Sequence, residues 1–486
     1  MVIALDAGTT GVRAFAVDQD GQPAGYRYRE LTQHYPRPGW VEHDATEIWE
    51  ALAAVTRDLI ADLAQPVAAF GITDQRETVV AWDRRRGAPL HRAIVWQDRR
   101  TAGRCDELQA QGRLDLIRST TGLVLDPYFS GSKFEWLLTE GGVETGPDLA
   151  LGTVDAWLLW NLTGGAVHAT EASNASRTMV YDIRALDWSD ELCDLFGVPR
   201  ANLPELRPTS GRFGTTSGAG GLPAGIPISG IAGDQQAALF GQACFDVGMT
   251  KNTYGTGSFV LMNAGSPCPA PVEGLLTTVA WQLPDRTDYA LEGAIFSTGS
   301  AIQWLRDGLG VIGEAAETGP LAESVPDNGG VFMVPAFTGL GSPWWDPYAR
   351  GTVVGITRGT TKAHLARAVV EAIAFQTRDV VDAMVAASGN PVPSLRADGG
   401  ASAMDALMQW QADQLQVPVL RPQVQETTAL GAAYLAGLAE GMWGSLAEVA
   451  EHWRVDLEAV PSTPVEEADA SYAQWLRAVE RSRSWQ

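Results

Sequence analysis

Short apolar runs separated by polar turns open the chain. Val2–Leu5 and Val12–Val17 are such runs, and the Gly-Thr-Thr-Gly turn between them predicts a β-hairpin. The next periodic segment runs from Thr46 to Ala64 and spaces its apolar residues as one face of a helix. Asp44 precedes this helix as a candidate N-cap, and Glu47 stands at the reciprocal position. We therefore predict a capping box at the helix start.

The second half of the chain starts with a similar pattern. The stretch MTKNTYGTGSFVLMN, residues 249–263, predicts a strand, a Gly-Thr-Gly turn and a second strand. It loosely echoes the opening stretch VIALDAGTTGVRAFAVD. A long helix is predicted over Lys362–Ser388, because Thr361 can begin it and Gly389 can end it. Strands and helices that alternate along the whole chain predict an α/β fold.

A chain of 486 residues is too long for one compact core. The alternating pattern is interrupted near residues 243–248, and no low-complexity linker separates the two halves. We therefore predict two closely packed α/β domains, residues 1–245 and 246–486, with a cleft between them. A cleft between domains is a common place for a small-molecule site.

Charge and cysteine usage narrow the class of protein. The formal net charge of −23 disfavours nucleic acid and anionic membranes as partners, since both would be repelled. The four cysteines form no C-x-x-C pair, so we expect reduced thiols and no zinc site. No apolar run approaches the ~18 residues of a membrane span, and the chain begins directly with a strand. These features favour a cytoplasmic enzyme.

Three glycine-rich turns follow predicted strands, and they are candidate phosphate-binding turns. They begin at Asp6, Tyr254 and Asp398. Glycine lets backbone N–H groups approach a phosphate closely, and a carboxylate at a strand end can bind Mg²⁺. Ordinary hairpin turns are the alternative interpretation. The chain has no G-x-x-x-x-G-K-[ST] motif and no complete G-x-G-x-x-G after a strand, so neither a P-loop nor a dinucleotide-binding fold is predicted.

Several polar residues after strands could bind a small polyol. Arg76 and Glu77 in GITDQRET offer a donor and an acceptor side by side, although a surface ion pair is the alternative. Asp234 follows a short apolar strand and could act as a general base, as a helix N-cap, or as both. Gln235 stands beside it.

Long stretches of the sequence resemble the FGGY carbohydrate kinases, and within that family the glycerol kinases closely. Residues 126–140, DPYFSGSKFEWLLTE, match the first family signature, and residues 351–372, GTVVGITRGTTKAHLARAVVEA, match the second. More specific stretches run from the first strand to about residue 445, among them YPRPGWVEHDATEIW, GITDQRET, NASRTM, ISGIAGDQQAALFGQ, KNTYGTG, ALEGAIF and VPAFTGLGSPWWDPYARG.

The resemblance implies a two-domain, actin-like (ribonuclease-H-like) ATPase fold that transfers the γ-phosphoryl group of ATP to the 3-hydroxyl of glycerol. It implies that Asp234 is the general base and that Asp6 helps to hold Mg²⁺. The residues implied to bind glycerol are Arg76, Glu77, Trp96, Tyr128, Asp234, Gln235 and Phe259. Those implied to contact the nucleotide are Thr9, Thr10, Gly11, Arg13, Thr256, Gly299, Gln303, Gly400 and the residue at position 404. Relatives form dimers and tetramers, so a homo-oligomer is expected.

The chain departs from the family pattern at three positions of the implied nucleotide site. Ala7 and Gly11 replace a glutamine and a serine of the first turn, and Met404 replaces an asparagine on the adenine side. A thioether cannot replace the paired donor and acceptor of an amide, so we expect a looser preference for ATP. A kinase for another polyol and a non-catalytic actin-like nucleotide-binding regulator are the alternative functions.

Overall fold

Two large β-sheets with helices packed around them form the centre of the fold. We describe residues 1–485 of a computed structural model. The strands, in chain order, are β1 (Val2–Ala7), β2 (Gly11–Val17), β3 (Pro23–Glu30), β4 (Glu42–His43), β5 (Ala69–Asp74), β6 (Val79–Asp83), β7 (Ala88–Pro89), β8 (Ala93–Ile94), β9 (Leu149–Thr153), β10 (Ala169–Glu171), β11 (Tyr181–Asp182), β12 (Asp187–Trp188), β13 (Glu205–Arg207), β14 (Ser210–Thr215), β15 (Pro227–Gly233), β16 (Thr250–Tyr254), β17 (Ser258–Gly265), β18 (Leu276–Leu283), β19 (Arg286–Ile295), β20 (Phe332–Val334), β21 (Thr352–Val354), β22 (Leu395–Asp398), β23 (Val419–Pro422) and β24 (Val455–Ala459).

The helices pack on the faces of these sheets and on one another. They are α1 (Ala45–Asp62), α2 (Ala102–Ala110), α3 (Leu114–Thr121), α4 (Ser130–Thr139), α5 (Val154–Leu162), α6 (Ala172–Ala175), α7 (Asp190–Leu195), α8 (Asp234–Gly241), α9 (Gly299–Gln303), α10 (Thr318–Glu323), α11 (Lys362–Ser388), α12 (Asp405–Leu415), α13 (Thr427–Ala439), α14 (Leu446–Ala450) and α15 (Val465–Ser482).

The two large sheets share one plan. The first has the strand order β14-β15-β5-β1-β2-β3, and the second has the order β18-β19-β17-β16-β22-β23-β24. In each sheet an antiparallel hairpin, β1–β2 or β16–β17, is followed by two parallel strands and an antiparallel edge strand. The predicted hairpins are confirmed, and the echo between the two sequence stretches corresponds to equivalent places in the two sheets.

Helix boundaries follow the predicted capping residues in α11 and only partly in α1. Helix α11 begins after Thr361 and ends before Gly389, which adopts a left-handed conformation with φ 69°. Asp44 caps α1 and accepts hydrogen bonds from two backbone N–H groups. The predicted reciprocal cap is wrong, because the Glu47 carboxylate accepts hydrogen bonds from the backbone N–H and the hydroxyl of Thr32.

The chain crosses between the sheets more than once. The segment after α8 leads into β16, and we propose the boundary between residues 245 and 246 as the first crossing. Helix α13, from the second half of the sequence, returns to pack on β1, β5 and β15 of the first sheet and against α8. A buried cluster that includes Phe240, Phe245 and Trp281 lies where the two halves meet. In residues 1–485, no helix combines the length and the apolar character that a bilayer crossing requires.

Candidate active site

Three acidic residues lie at the carboxyl edge of the first sheet. Strands β15, β5 and β1 are parallel neighbours in which Gly233 pairs with Asp74 and Asp6 pairs with Thr73. The carboxyl ends of parallel neighbours meet at one edge of a sheet. Asp6, Asp74 and the residue after β15, Asp234, are therefore brought together there.

One small open cavity lies at this edge. Together with the open space at its mouth, it measures about 200 Å³. Its lining consists of Arg76, Glu77, Trp96, Tyr128, Asp234, Gln235 and Phe259. These are the seven residues that the family resemblance predicts for glycerol, and they come from five separate segments of the chain.

Arg76 is the centre of the polar side of the cavity, and its side chain is 1% exposed. Its Nη1 donates to Gln236 Oε1 (3.1 Å) and Glu292 Oε2 (2.5 Å). Its Nη2 donates to the Tyr128 hydroxyl (3.1 Å) and to Glu292 Oε1 (3.1 Å). Its Nε lies 3.3 Å from Asp234 Oδ1. The guanidinium is therefore held in one orientation and fixes the side chains around it. A surface ion pair, the alternative interpretation for Arg76 and Glu77, is excluded by this burial.

Glu77 occupies a left-handed backbone conformation with φ 61°, which is uncommon for a residue other than glycine. Its carboxylate is held by Arg177, whose Nε donates to Glu77 Oε1 over 2.6 Å. Among the described residues, Glu77 Oε2 receives no hydrogen bond. Burial raises the pKa of Glu77, while Arg76 and Arg177 oppose that rise. The strained turn beyond β5 thus places a carboxylate at the cavity wall.

Asp234 is the first residue of α8, directly after β15. Gly233 occupies the cap position, so the N-cap alternative for the Asp234 side chain is wrong, although its Oδ1 accepts from the Gln235 backbone N–H over 2.7 Å. The side chain is 30% exposed, and Oδ2 accepts no hydrogen bond within residues 1–485. Burial raises the pKa of Asp234, and the cations of Arg76 and Lys251 oppose that rise. A partly desolvated carboxylate with one unengaged oxygen can accept a proton from a nearby hydroxyl.

Aromatic rings form the apolar side of the cavity. Trp96 meets Tyr128 and Phe259 edge to face, with ring centroids 5.6 Å and 6.4 Å apart. The indole Nε1 of Trp96 donates to Thr9 Oγ1 over 2.9 Å. Trp96 therefore connects the cavity to the turn between β1 and β2.

The β1–β2 hairpin carries four of the residues predicted for the nucleotide. Thr9 and Thr10 lie at its tip, and Gly11 begins β2. A Cβ on Gly11 would lie 2.4 Å from the Tyr28 hydroxyl oxygen, so the ring of Tyr28 fills the space that a serine would use. Arg13 forms an ion pair with Glu426, directly before α13. Arg13 thus joins β2 to a segment of the second half of the chain.

The second sheet presents its own glycine-rich edge. The backbone N–H of Gly299 donates to the carbonyl oxygen of Gly255 over 3.0 Å, and a Cβ on Gly299 would lie 2.7 Å from that oxygen. This close approach requires glycine and places α9 beside the β16–β17 turn, where Thr256 is exposed. Gln303, also exposed, lies at the other end of α9.

The turn after β22 lies at the same edge, because β16 and β22 pair in parallel and Thr253 stands opposite Asp398. Gly400 faces open space, with nothing within 4 Å of an added Cβ. Met404 is half-buried before α12 and packs in an apolar cluster of the second half. The predicted nucleotide residues are therefore divided between the edges of the two sheets.

Asp6 supplies the chemistry expected of a magnesium ligand. Burial raises its pKa to about 7, Arg13 opposes this, and Asp234 adds to it. The described part of the chain contains no cluster of three or more histidine, cysteine or acidic side chains arranged around a metal. Protein sites for Mg²⁺ commonly use one or two carboxylates together with water and substrate phosphates. The single carboxylate of Asp6, once deprotonated, fits that donor set.

Three charged residues of this network were not predicted. Glu292 and Arg177 hold Arg76 and Glu77, and Lys251 Nζ donates to Gln235 Oε1 (2.5 Å) and Thr253 Oγ1 (2.8 Å). Each is fully buried. A lone charge within an apolar strand, such as the glutamate of ALEGAIF, is the sequence signal that could have found them, because buried charges require partners.

Known protein families and full-length relatives match this sequence. Residues 1–241 match the profile of the FGGY family of carbohydrate kinases, N-terminal domain, and residues 250–440 match that of the C-terminal domain. The chain is 56% identical to a glycerol kinase from Dechloromonas aromatica (strain RCB), covering 100% of this chain and 98% of the relative. It is 55% identical to glycerol kinase 2 from Thermotoga maritima, covering 100% and 99%.

The crystal structure of one relative has the same overall fold. The crystal structure of Plasmodium falciparum glycerol kinase with ADP superposes with a TM-score of 0.92 at 34% identity, covering 99% of this chain and 98% of that one. The predicted α/β, two-domain actin-like fold is thereby confirmed. The profile matches and the full-length relatives together show that the chain belongs to the FGGY family of carbohydrate kinases.

Proposed function

We propose that the protein transfers the γ-phosphoryl group of ATP to the 3-hydroxyl of glycerol, which gives sn-glycerol 3-phosphate and ADP. One observation carries this proposal: the cavity that holds Asp234 is lined by the seven residues predicted for glycerol. Full-length relatives named glycerol kinase, at 55–56% identity, support the same activity.

The polar side and the apolar side of the cavity each match one feature of a three-carbon polyol. A polyol offers several hydroxyls and a small apolar carbon surface. Glu77 and Asp234 provide hydroxyl acceptors, and the rings of Trp96 and Phe259 provide an apolar wall. The N–H groups of Arg76 already have protein partners, so a hydroxyl would share the Nη2 that donates to Tyr128. A hydroxyl left unpaired in such a site costs ~1–3 kcal/mol, which selects against ligands of the wrong pattern.

Asp234 acts as the general base in this proposal. Its unengaged Oδ2 accepts the proton of the attacking hydroxyl as that oxygen bonds to the γ-phosphorus, while the bond from this phosphorus to the bridging oxygen breaks and ADP leaves. The ion pair with Arg76 and the hydrogen bond from the Gln235 backbone N–H hold Oδ1 and keep the carboxylate in place. Phosphoryl transfer depends mainly on alignment and charge neutralisation, so this fixed geometry is the main contribution of the chain.

The glycine-rich edges of the two sheets bind the nucleotide in this proposal. Thr9, Thr10, Gly11 and Arg13 contact the phosphates from the first sheet. The contacts from the second sheet come from Thr256, Gly299, Gln303, Gly400 and Met404. Asp6 holds Mg²⁺, which neutralises phosphate charge when bound. Because Met404 offers no amide, we expect weak discrimination among nucleoside triphosphates.

Location and assembly are further proposals. All four cysteines are free thiols, and three of them are buried, which supports the reducing cytoplasm as the location. We also propose a homo-oligomer, a dimer or tetramer, on the basis of the family resemblance alone.

Release of ADP across a panel of polyols tests the proposed function. With ATP and Mg²⁺ present, glycerol, dihydroxyacetone, erythritol and a pentulose are compared at equal concentrations. We expect kcat/KM for glycerol to exceed the others by about tenfold or more, because each misplaced hydroxyl loses a buried partner. A higher value for another polyol reassigns the substrate, and the absence of any polyol-dependent ADP release contradicts a kinase function.

A further inference from the structure

We propose that Glu292 is a positioning residue that sets the orientation of Arg76 and Arg177 and thereby the affinity for the polyol. The inference rests on the proposed function and adds to it a residue outside the cavity lining. Glu292 belongs to β19 in the second sheet, whereas both arginines belong to the first half of the chain.

Glu292 binds the two arginines at once. Its Oε1 accepts from Arg76 Nη2 (3.1 Å) and from Arg177 Nη2 (2.8 Å), and its Oε2 accepts from Arg76 Nη1 (2.5 Å). The contact with Arg76 is bidentate, which fixes the plane of the guanidinium. All three side chains are at most 1% exposed. Water is therefore unavailable to replace Glu292 as a partner.

Arg177, the second arginine that Glu292 binds, in turn positions Glu77. Arg177 Nε donates to Glu77 Oε1, and its guanidinium carbon lies 5.6 Å from the centroid of the Tyr128 ring. Two cavity-lining residues thus depend on an arginine whose opposite end is anchored by Glu292. Through these two arginines, the carboxylate of Glu292 positions the polar side of the cavity although it does not line it.

Glu292 also shares a sheet face with the apolar wall. Phe259 pairs with Ala294 across β17 and β19, and Glu292 lies two residues before Ala294. Residues two apart on a strand point to the same face. One face of the second sheet therefore supplies both Phe259 and the anchor of Arg76, so the polyol cavity is built from both halves of the chain.

Charge explains why removal of this anion would alter the cavity. The buried cations are Arg76, Arg177 and Lys251, and the facing acids are Glu77, Asp234 and Glu292. Without the Glu292 charge, two adjacent guanidinium groups lose their common anion. Each is then drawn toward the remaining acids, Glu77 and Asp234, which are the groups that must accept the hydroxyls.

The variant E292Q tests this inference, with D288N as the matched control. Asp288 is another buried carboxylate of β19, but its partners are Trp281, Ser266 and Arg286, away from the cavity. Kinetics are measured on the full chain with glycerol and ATP varied separately. For E292Q we expect the KM for glycerol to rise about 10- to 100-fold, as for the loss of a charged hydrogen bond. The KM for ATP should change less than about threefold.

A conservative variant keeps the inference testable if E292Q does not fold. E292D retains the charge but shortens the side chain by one methylene, and we expect its KM for glycerol to rise only about 3- to 10-fold. A glycerol KM unchanged in both variants overturns the positioning role, as does an equal rise in D288N. Absence of glycerol-dependent turnover in the unmodified protein contradicts instead the proposed function, so the two failures are distinct.

Discussion

At the scale of single residues, the protonation state of Asp6 bears on the magnesium site that we propose. Burial and the nearby Asp234 carboxylate raise its pKa to about 7. An acid with a raised pKa keeps its proton up to a higher pH than usual, and a proton and Mg²⁺ compete for the same oxygens. Metal uptake at this site should therefore weaken as the pH falls below neutrality.

We expect the Mg²⁺ concentration for half-maximal activity to increase about tenfold when the pH is lowered from one unit above this pKa to one unit below it. Steady-state rates at saturating ATP and glycerol measure it. The variant D6N has no carboxylate to titrate, so it should need more Mg²⁺ at every pH and retain only the pH dependence of the nucleotide itself. Identical pH dependence in both proteins would exclude Asp6 as the ligand.

At the scale of elements, the crossing of α8 and α13 positions Asp234. A Cβ on Gly431 of α13 would lie 1.8 Å from the carbonyl oxygen of Ala237, and one on Gly241 of α8 would lie 1.9 Å from that of Thr427. The two helices therefore touch backbone to backbone. Since Asp234 is the first residue of α8, a displacement of this helix displaces the carboxylate.

The variant G431A should force the two helices apart. We expect the thermal midpoint to fall by about 5 °C or more, together with a loss of kcat, because overlap with backbone atoms cannot be relieved by a rotamer change. Calorimetry and ADP release measure the two effects. G103A is the control, since a Cβ at this position of α2 meets nothing within 4 Å. If G431A matches G103A in both measurements, the close crossing does not constrain the site.

Local sequence patterns predict where helices begin and end better than they predict which side chains contact one another across the fold. The bounds of α11 follow from Thr361 and Gly389, since caps act within one helical turn. The capping box of α1 was predicted wrongly because Thr32, from a preceding loop, competes for the Glu47 carboxylate. Pairs such as Arg76 and Glu292 lie 216 residues apart, and no local pattern identifies them. Local reasoning identified Arg76, Glu77, Asp234 and Gln235 as candidates for polyol binding, whereas the assignment of all seven lining residues to one site came from the family resemblance.

At the scale of the whole molecule, two sheets of the same plan each contribute one edge to the site. The first supplies Asp6 and Asp234, and the second supplies Phe259 and the glycine-rich turn at Thr256. Arg13 and Glu426 pair between the two halves. This division explains how a chain without a P-loop can present the turns that we propose for phosphate binding on both sides of the cavity.

The central claim is that one carboxylate in this cleft, that of Asp234, accepts the proton of the glycerol hydroxyl. Glycerol-dependent ADP release by the unmodified protein and by D234N tests it most directly, with glycerol binding checked by calorimetry. We predict robust turnover by the unmodified protein and a loss of about 10²- to 10⁴-fold in kcat for D234N. Unchanged turnover in D234N would contradict the account.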